Sequence, residues 1–166
     1  GIPFKDKFPA IAYAGNDRGS KYNFLNRRDI AISQRAYFAS DVVDKTHVVT
    51  GNVPREMMVN YKYILDIDGN ACTWDATAWK LNSGSVILKT DSEWVQWFYD
   101  KYHPWVHYVP VKDDFSDLQD KFEWCETHQA ECAEMVKRCK SLFQEVYRHD
   151  NVVKYMEDVI LKFTEE

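Results

Sequence analysis

The chain alternates between runs with the short period of strands and runs with the longer period of helices. "YKYILDI" (Tyr61 to Ile67) is the clearest strand, rich in aromatic and branched residues. "SVILK" (Ser85 to Lys89) is an almost continuous apolar run, as expected of a strand buried on both faces. "AIAYA" (Ala10 to Ala14) ends at Gly15, and "THVVT" (Thr46 to Thr50) precedes a Gly51-Asn52 turn. "VHYVPV" (Val106 to Val111) is a further strand, and Pro110 predicts that it ends there or lies near a sheet edge.

Helical spacing fills the intervals. "RRDIAISQRAYFAS" (Arg27 to Ser40) offers Ile30, Ile32, Ala36 and Tyr37 to a core. Thr73 and Asp75 stand where caps belong before a helix around "ATAWKL". "SEWVQWFYDKY" (Ser92 to Tyr102) predicts a helix capped by Asp91 or Ser92, with Pro104 beyond its end. From Ser116 the pattern turns helical. "SDLQDKFEWCETH" opens with a serine cap and "QAECAEMVKRCKSLFQEVY" follows. In "NVVKYMEDVILKF" Val152, Val153, Met156, Val159, Ile160 and Phe163 form one apolar stripe. Strands alternating with helices predict an α/β, Rossmann-like fold with a mostly parallel sheet and helices on both faces. In such sheets ligands bind beyond the carboxyl ends of the strands.

Composition bounds this picture. A chain of 166 residues, 45% hydrophobic and 15% aromatic, suits one globular domain with a sizeable core. A net charge of -5 argues against a nucleic-acid backbone as main partner. No uninterrupted apolar run approaches membrane-spanning length, and no signal peptide is visible. The sequence opens at Gly1 rather than at a methionine, so a further part upstream is an open expectation.

The four cysteines are Cys72, Cys125, Cys132 and Cys139, with no CxxC pair to hold zinc. The last three recur every seventh position, which on one helix returns nearly the same face. Two turns apart on one helix they cannot bridge, because a disulfide needs Cα atoms within about 7 Å. They read as small buried thiols in a helical packing seam. The compartment stays open.

The chemistry concentrates in "YILDIDGNACTWD" (Tyr63 to Asp75). As an EF-hand loop with Gly69 sixth, Asp66, Asp68 and Asp75 fall at the third, fifth and twelfth positions. Ile64 then falls first, where a carboxylate is required, and the entering segment reads as strand rather than helix. The other reading is a strand ending at Asp68, a turn at Gly69-Asn70 and a helix starting near Thr73. Gly69 lets backbone approach a ligand closely, and a helix N-terminus offers N–H groups to phosphate. A plainer reading has Asp66 and Asp68 only solvating a strand end. Residue types alone leave both of these standing.

The stretch from Tyr61 to Leu118 carries a family resemblance. "YKYILDIDGN", "WKLNSGSVILK", "WVQWFY" and "PWVHYVPVKDDFSDL" together resemble the core of the Rumi-like, capsule-associated glycosyltransferases, family 90. "FPAIAYAGNDRG" and "RRDIAISQR" are similar to the family's weaker upstream blocks. That family includes protein O-glucosyltransferases and lipopolysaccharide-modifying enzymes. The resemblance implies a GT-B architecture of two Rossmann-like lobes, this chain being the carboxyl-terminal, donor-binding one. It implies transfer of glucose or xylose from a UDP-sugar to a protein or glycan hydroxyl, with inversion and no obligatory metal or other cofactor. The general base would be an aspartate of the amino-terminal lobe, so no catalytic residue is assigned in this chain. The lumen of the endoplasmic reticulum or Golgi is the expected compartment of a eukaryotic member, the cytoplasm that of a bacterial one.

Carried over residue by residue, the resemblance implies a donor site of Asp68, Gly69, Thr73, Ser85 and Glu93. Two arginines common in the family are absent, at "YAG" with Ala14 and in "TWDATAWK". Arg18, Arg28 and Lys80 are the nearby cations that would replace them, although lysine lacks the bidentate fork of arginine. A non-catalytic sugar-nucleotide or carbohydrate-binding module is the rival reading. His107 reads either as a donor contact or as a strand histidine satisfied by backbone. Trp94, Trp97, Trp105 and Trp124 read as sugar platforms or, more commonly, as core. Lys112, Asp113 and Asp114 read as a solvated loop.

Overall fold

A computed structural model of the chain describes residues 1–13, 48–49, 54–68, 72–73 and 75–164. Among these residues five strands form one sheet: β1 (Phe8–Ala12), β2 (Val48–Val49), β3 (Tyr61–Asp66), β4 (Val86–Thr90) and β5 (Tyr108–Val111). Their order is β2-β1-β3-β4-β5, and every pairing is parallel. The helices are α1 (Arg55–Met58), α2 (Asp75–Asn82), α3 (Leu118–Thr127), α4 (Gln129–Val146) and α5 (His149–Thr164). The expected α/β, Rossmann-like class is what forms. The helix expected from Arg27 to Ser40 and the Gly51-Asn52 turn lie outside the described residues.

Strand alternation divides the core between two faces. Tyr63 and Leu65 of β3 and Val86 and Leu88 of β4 pack with Phe122 and Cys125 of α3 and Cys132 and Met135 of α4. On the other face Ile64 meets Met58 of α1 and Trp79 of α2, while Ile87 meets Leu81, Phe98 and Tyr102. Burying this much apolar side chain contributes roughly 1.5–3 kcal/mol per large residue, which offsets the cost of ordering the chain. α4 supplies Cys132 to one cluster and Cys139 and Leu142 to the other, joining both. Pro110 sits within β5, the outermost strand on its side, where a missing N–H costs no ladder bond.

The turn from α2 into β4 requires a glycine. Gly84 has φ +74, and a Cβ there would meet the Lys140 side chain at 3.4 Å. The left-handed conformation ends the helix and aims the chain into β4.

Three expectations are corrected. Ser92 to Tyr102 is not an α-helix. Its N–H groups at Tyr99, Lys101 and Tyr102 each reach back three residues, making consecutive tight turns. The reason lies in the aromatic side chains. Trp97 meets Tyr155 at 4.6 Å, Phe98 meets Tyr147 at 5.6 Å and Tyr102 meets Tyr108 at 4.6 Å. Those partners lie in directions that one helix face cannot serve, so packing overrides the local pattern. Second, Ser116 does not cap α3. Its N–H donates to Asp114, and Asp117 occupies the cap position with its carboxylate turned to the Lys112 N–H.

Third, the last three cysteines do not share one helix. α3 stops at Thr127 because Thr127 Oγ1 donates to the Glu123 and Trp124 carbonyls and the His128 ring holds the Trp124 carbonyl. The break brings Cys132 Sγ to 3.6 Å from the Cys125 carbonyl. The three thiols are buried, as expected, but the single-helix spacing that forbade a bridge does not apply to Cys125 and Cys132.

Candidate functional site

The strand order places the functional edge. The chain leaves β1 toward β2 on one side and returns to β3 on the other, so the order reverses between β1 and β3. Crevices at the carboxyl ends of such a pair are where doubly wound sheets hold ligands. Asp66 closes β3 at that edge, with Lys89 of β4 and Pro110 of β5 beside it in register.

Two buried ion pairs occupy the edge. The Lys80 ammonium reaches back from α2 onto Asp66 Oδ1. Lys89 Nζ lies 2.9 Å from Asp68 Oδ2. All four side chains are nearly withdrawn from water. Burial alone would raise the Asp66 carboxyl, but the charges of Lys80 and Lys89 outweigh it and hold the group below the usual carboxylate range. Burial would likewise lower the Lys89 amine, yet Asp66 and Asp68 together drive it above its ordinary value. Asp66 Oδ2 has no hydrogen-bond partner among the described residues.

The second aspartate shapes the approach to α2. Asp68 Oδ1 accepts the Thr73 N–H at 3.1 Å, and the Thr73 carbonyl accepts the Ala76 N–H at 2.9 Å. The Thr73 hydroxyl pairs with the Thr77 hydroxyl at 2.8 Å, and Gln96 Nε2 donates to Thr77 at 3.1 Å. At the mouth of α2, Arg55 pairs with Asp75 at 2.8 Å and lies over the Trp79 ring at 5.8 Å. Both members of that pair are exposed.

The expected donor residues therefore separate. Asp68, Thr73 and Lys80 come together at the carboxyl edge. Glu93 is exposed in the irregular segment that leaves that same edge after β4. Ser85 does not join them, because it precedes β4 at the opposite, amino edge. There its hydroxyl donates to the Tyr61 carbonyl at 2.7 Å and accepts from Lys7 Nζ at 3.0 Å. Arg18 and Gly69 lie outside the described residues. Lys80 is buried against Asp66 rather than directed outward. Arg55 escaped sequence reasoning, since nothing local to "PREMM" marks it and only the fold carries it to Asp75.

His107 stands at the amino side of β5, where Nδ1 accepts the His103 N–H at 3.1 Å; the backbone-satisfied reading fits it. All three aspartates of the supposed calcium loop face cations of the protein itself: Asp66 faces Lys80, Asp68 faces Lys89 and Asp75 faces Arg55. Among the described residues no group of three His, Cys, Asp or Glu side chains is placed to hold a metal ion. Among them, too, no helix is long and apolar enough to cross a membrane.

Comparison with known proteins shows the family of the chain. The sequence profile of Glycosyl transferase family 90 matches residues 1–165. Protein O-glucosyltransferase 2 of Danio rerio is 30% identical over 105 residues, 63% of this chain and 21% of that protein. Protein O-glucosyltransferase 1 of Rattus norvegicus is 30% identical over 104 residues, 63% of this chain and 26% of that protein. Protein 179R of Invertebrate iridescent virus 6 is 26% identical over 175 residues, covering 96% of this chain and 15% of that protein. The aligned stretch is thus at most 26% of the length of these three relatives.

Proposed function

The chain belongs to glycosyl transferase family 90, and from that premise we propose that it forms the donor-binding part of a UDP-sugar-dependent, inverting glycosyltransferase. The observation that carries the reading is the arrangement at the switch point: Asp68 fixes Thr73 at the start of α2, and Arg55 stands at the same mouth. The N–H groups of that helix start and the Thr73 hydroxyl suit a diphosphate. Arg55 supplies the bidentate cation that the sequence lacked at Ala14 and in "TWDATAWK". The lysines do not serve, because Lys80 and Lys89 are buried against Asp66 and Asp68, whereas the Arg55–Asp75 pair is exposed and Arg55 can exchange that carboxylate for a phosphate.

In this reading the sugar is displaced directly. A carboxylate from the amino-terminal lobe of a GT-B pair deprotonates an acceptor hydroxyl, which attacks the anomeric carbon as the bond to the diphosphate breaks. This chain holds the nucleotide and stabilises the charge that grows on the departing phosphate. The names of the relatives favour glucose as the sugar and a protein hydroxyl as acceptor over a lipopolysaccharide. Glu93 is the proposed acceptor of a ribose hydroxyl bond.

Calorimetry with UDP tests the proposal. Binding that Thr73→Ala and Arg55→Ala both weaken supports it. Absence of UDP binding by the full-length protein overturns it in favour of a carbohydrate-binding module without a donor site.

A further inference from the structure

A second concavity lies away from the Asp66–Asp68 edge. It has a volume of about 370 Å³ and is lined by Trp105, Trp124, Glu131, Glu134, Met135 and Arg138. Trp105 precedes β5, and Pro104 bridges to Tyr108, so the pocket opens on the amino side of that strand. We propose that this pocket binds a neutral saccharide, one that packs an apolar ring face against the part of the two tryptophans that Lys121 and His128 leave uncovered.

The walls are held in place. Trp105 has φ 62, a conformation that bulky residues rarely adopt. Its N–H donates to the Tyr108 carbonyl at 2.7 Å, which fixes that conformation and leaves the residue 44% exposed. The Trp105 and Trp124 rings touch edge to face, 4.9 Å apart at 75°, and together form the aromatic part of the lining. Trp124 is backed by His128, stacked on it at 4.6 Å and 10°. An exposed aromatic held in a strained backbone conformation contributes little to the core and is well placed for a ligand.

Charge selects the ligand class. Glu131 and Glu134 face the cavity together with Arg138, Lys137 pairs with Glu134 at 2.5 Å, and Lys121 lies 4.8 Å over the Trp105 ring. A cationic ligand would meet Arg138, and an anionic one would meet Glu131. A neutral ring with apolar C–H faces and many hydroxyls suits both parts: the faces pack on indole, and the hydroxyls donate to carboxylates and accept from guanidinium. The volume falls at the lower end of the roughly 300–1,000 Å³ typical of small-ligand sites. This inference does not depend on the donor site.

The test is an NMR titration of the chain with neutral trisaccharides of glucose, xylose and N-acetylglucosamine at millimolar concentration, following the six indole N–H signals. The expected result is saturable shifts of the Trp105 and Trp124 signals with at least one trisaccharide. Binding should be lost in Trp105→Ala and weakened roughly tenfold in Glu131→Gln, a surface change that leaves the core intact. No shift with any trisaccharide overturns the proposal. So does binding unchanged in both variants, or binding that UDP displaces, which would place the sugar at the Thr73 edge instead.

Discussion

Lys80 turns its ammonium onto the Asp66 carboxylate inside the protein, where both side chains are almost wholly out of water. A buried pair of this kind stabilises little as a pair but is costly to break, because the survivor is left charged and unpartnered. Asp66→Asn or Lys80→Met alone should therefore destabilise the chain by about 3–5 kcal/mol. The double variant Asp66→Asn/Lys80→Met should recover a large part of that loss. Urea unfolding of the four proteins closes the cycle, and a double variant no better than the worse single one would contradict the argument.

The same groups set the pH response. The Asp66 carboxyl is held below its ordinary 3.8, so its contribution is present above that value and is lost as pH falls through the lower folded value. The Lys89 amine is raised above 10.5, so its contribution is present below that value and is lost only at more alkaline pH. Lys7 has the opposite sign. Burial, with help from Lys140, lowers its amine to about 8, so the folded state sheds that proton first and stability gains between about 8 and 10.5. Thermal unfolding across pH should show an acid limb that flattens in Asp66→Asn. Comparison with Lys7→Met should reveal an alkaline gain that the variant lacks.

The sheet was legible because strands buried on both faces announce themselves: "YKYILDI" and "SVILK" became β3 and β4 within a residue of their expected ends. Thr73, two residues before α2, was legible for a similar local reason, its position shortly after a strand. What the sequence hid depends on distant partners. Ser85 sits in a run similar to the family core, yet the parallel register puts it at the amino edge beside Tyr61 and Lys7. Arg55 reaches Asp75 across twenty positions, and no spacing rule connects them. The turns between Ser92 and Tyr102 follow from ring contacts with residues as far away as Tyr155. The Cys125–Cys132 proximity follows from a helix break made by the side chains of Thr127 and His128.

Arg55 gives the donor proposal a sharp prediction. Its guanidinium faces the phosphates in that reading and not the base. Arg55→Ala should weaken UDP binding roughly tenfold while leaving uridine binding unchanged. Arg55→Lys should restore the charge but only part of the affinity, since one point charge replaces a fork. Equal losses for UDP and uridine would show instead that the residue shapes the site as a whole.

The thiols should differ in reactivity. Cys72 is partly exposed, whereas Cys125, Cys132 and Cys139 are buried. The neighbouring Cys132 thiol and burial push the Cys125 thiol well above its ordinary value, and burial pushes Cys139 up to about 12. Because the thiolate is the reactive form, Ellman's reagent near neutral pH should titrate one thiol of the four quickly in the folded chain. All four should react after denaturation. Fast reaction of two or more before unfolding would mean that the α3–α4 seam opens readily.

The carboxyl-terminal helix should be the least stable element. Its apolar stripe does not join the core: none of its residues is buried, and Met156, Ile160 and Phe163 are 57%, 59% and 77% exposed. One aromatic contact, Tyr155 on Trp97, ties it to the segment after β4. Little apolar area leaves water when α5 docks, so little free energy holds it there. A chain ending at Arg148 should unfold cooperatively with a Tm within about 2–4 °C of the longer one, as for a loss near 1 kcal/mol in a protein of this size. It should also bind less of the dye ANS, because the exposed stripe is gone. Amide exchange should be faster in α5 than in α4, whose Cys139 and Leu142 are core residues. A truncated chain that loses cooperative unfolding would show that α5 holds the Trp97–Phe98–Tyr147 rings together, and that its docking is worth far more than its buried area.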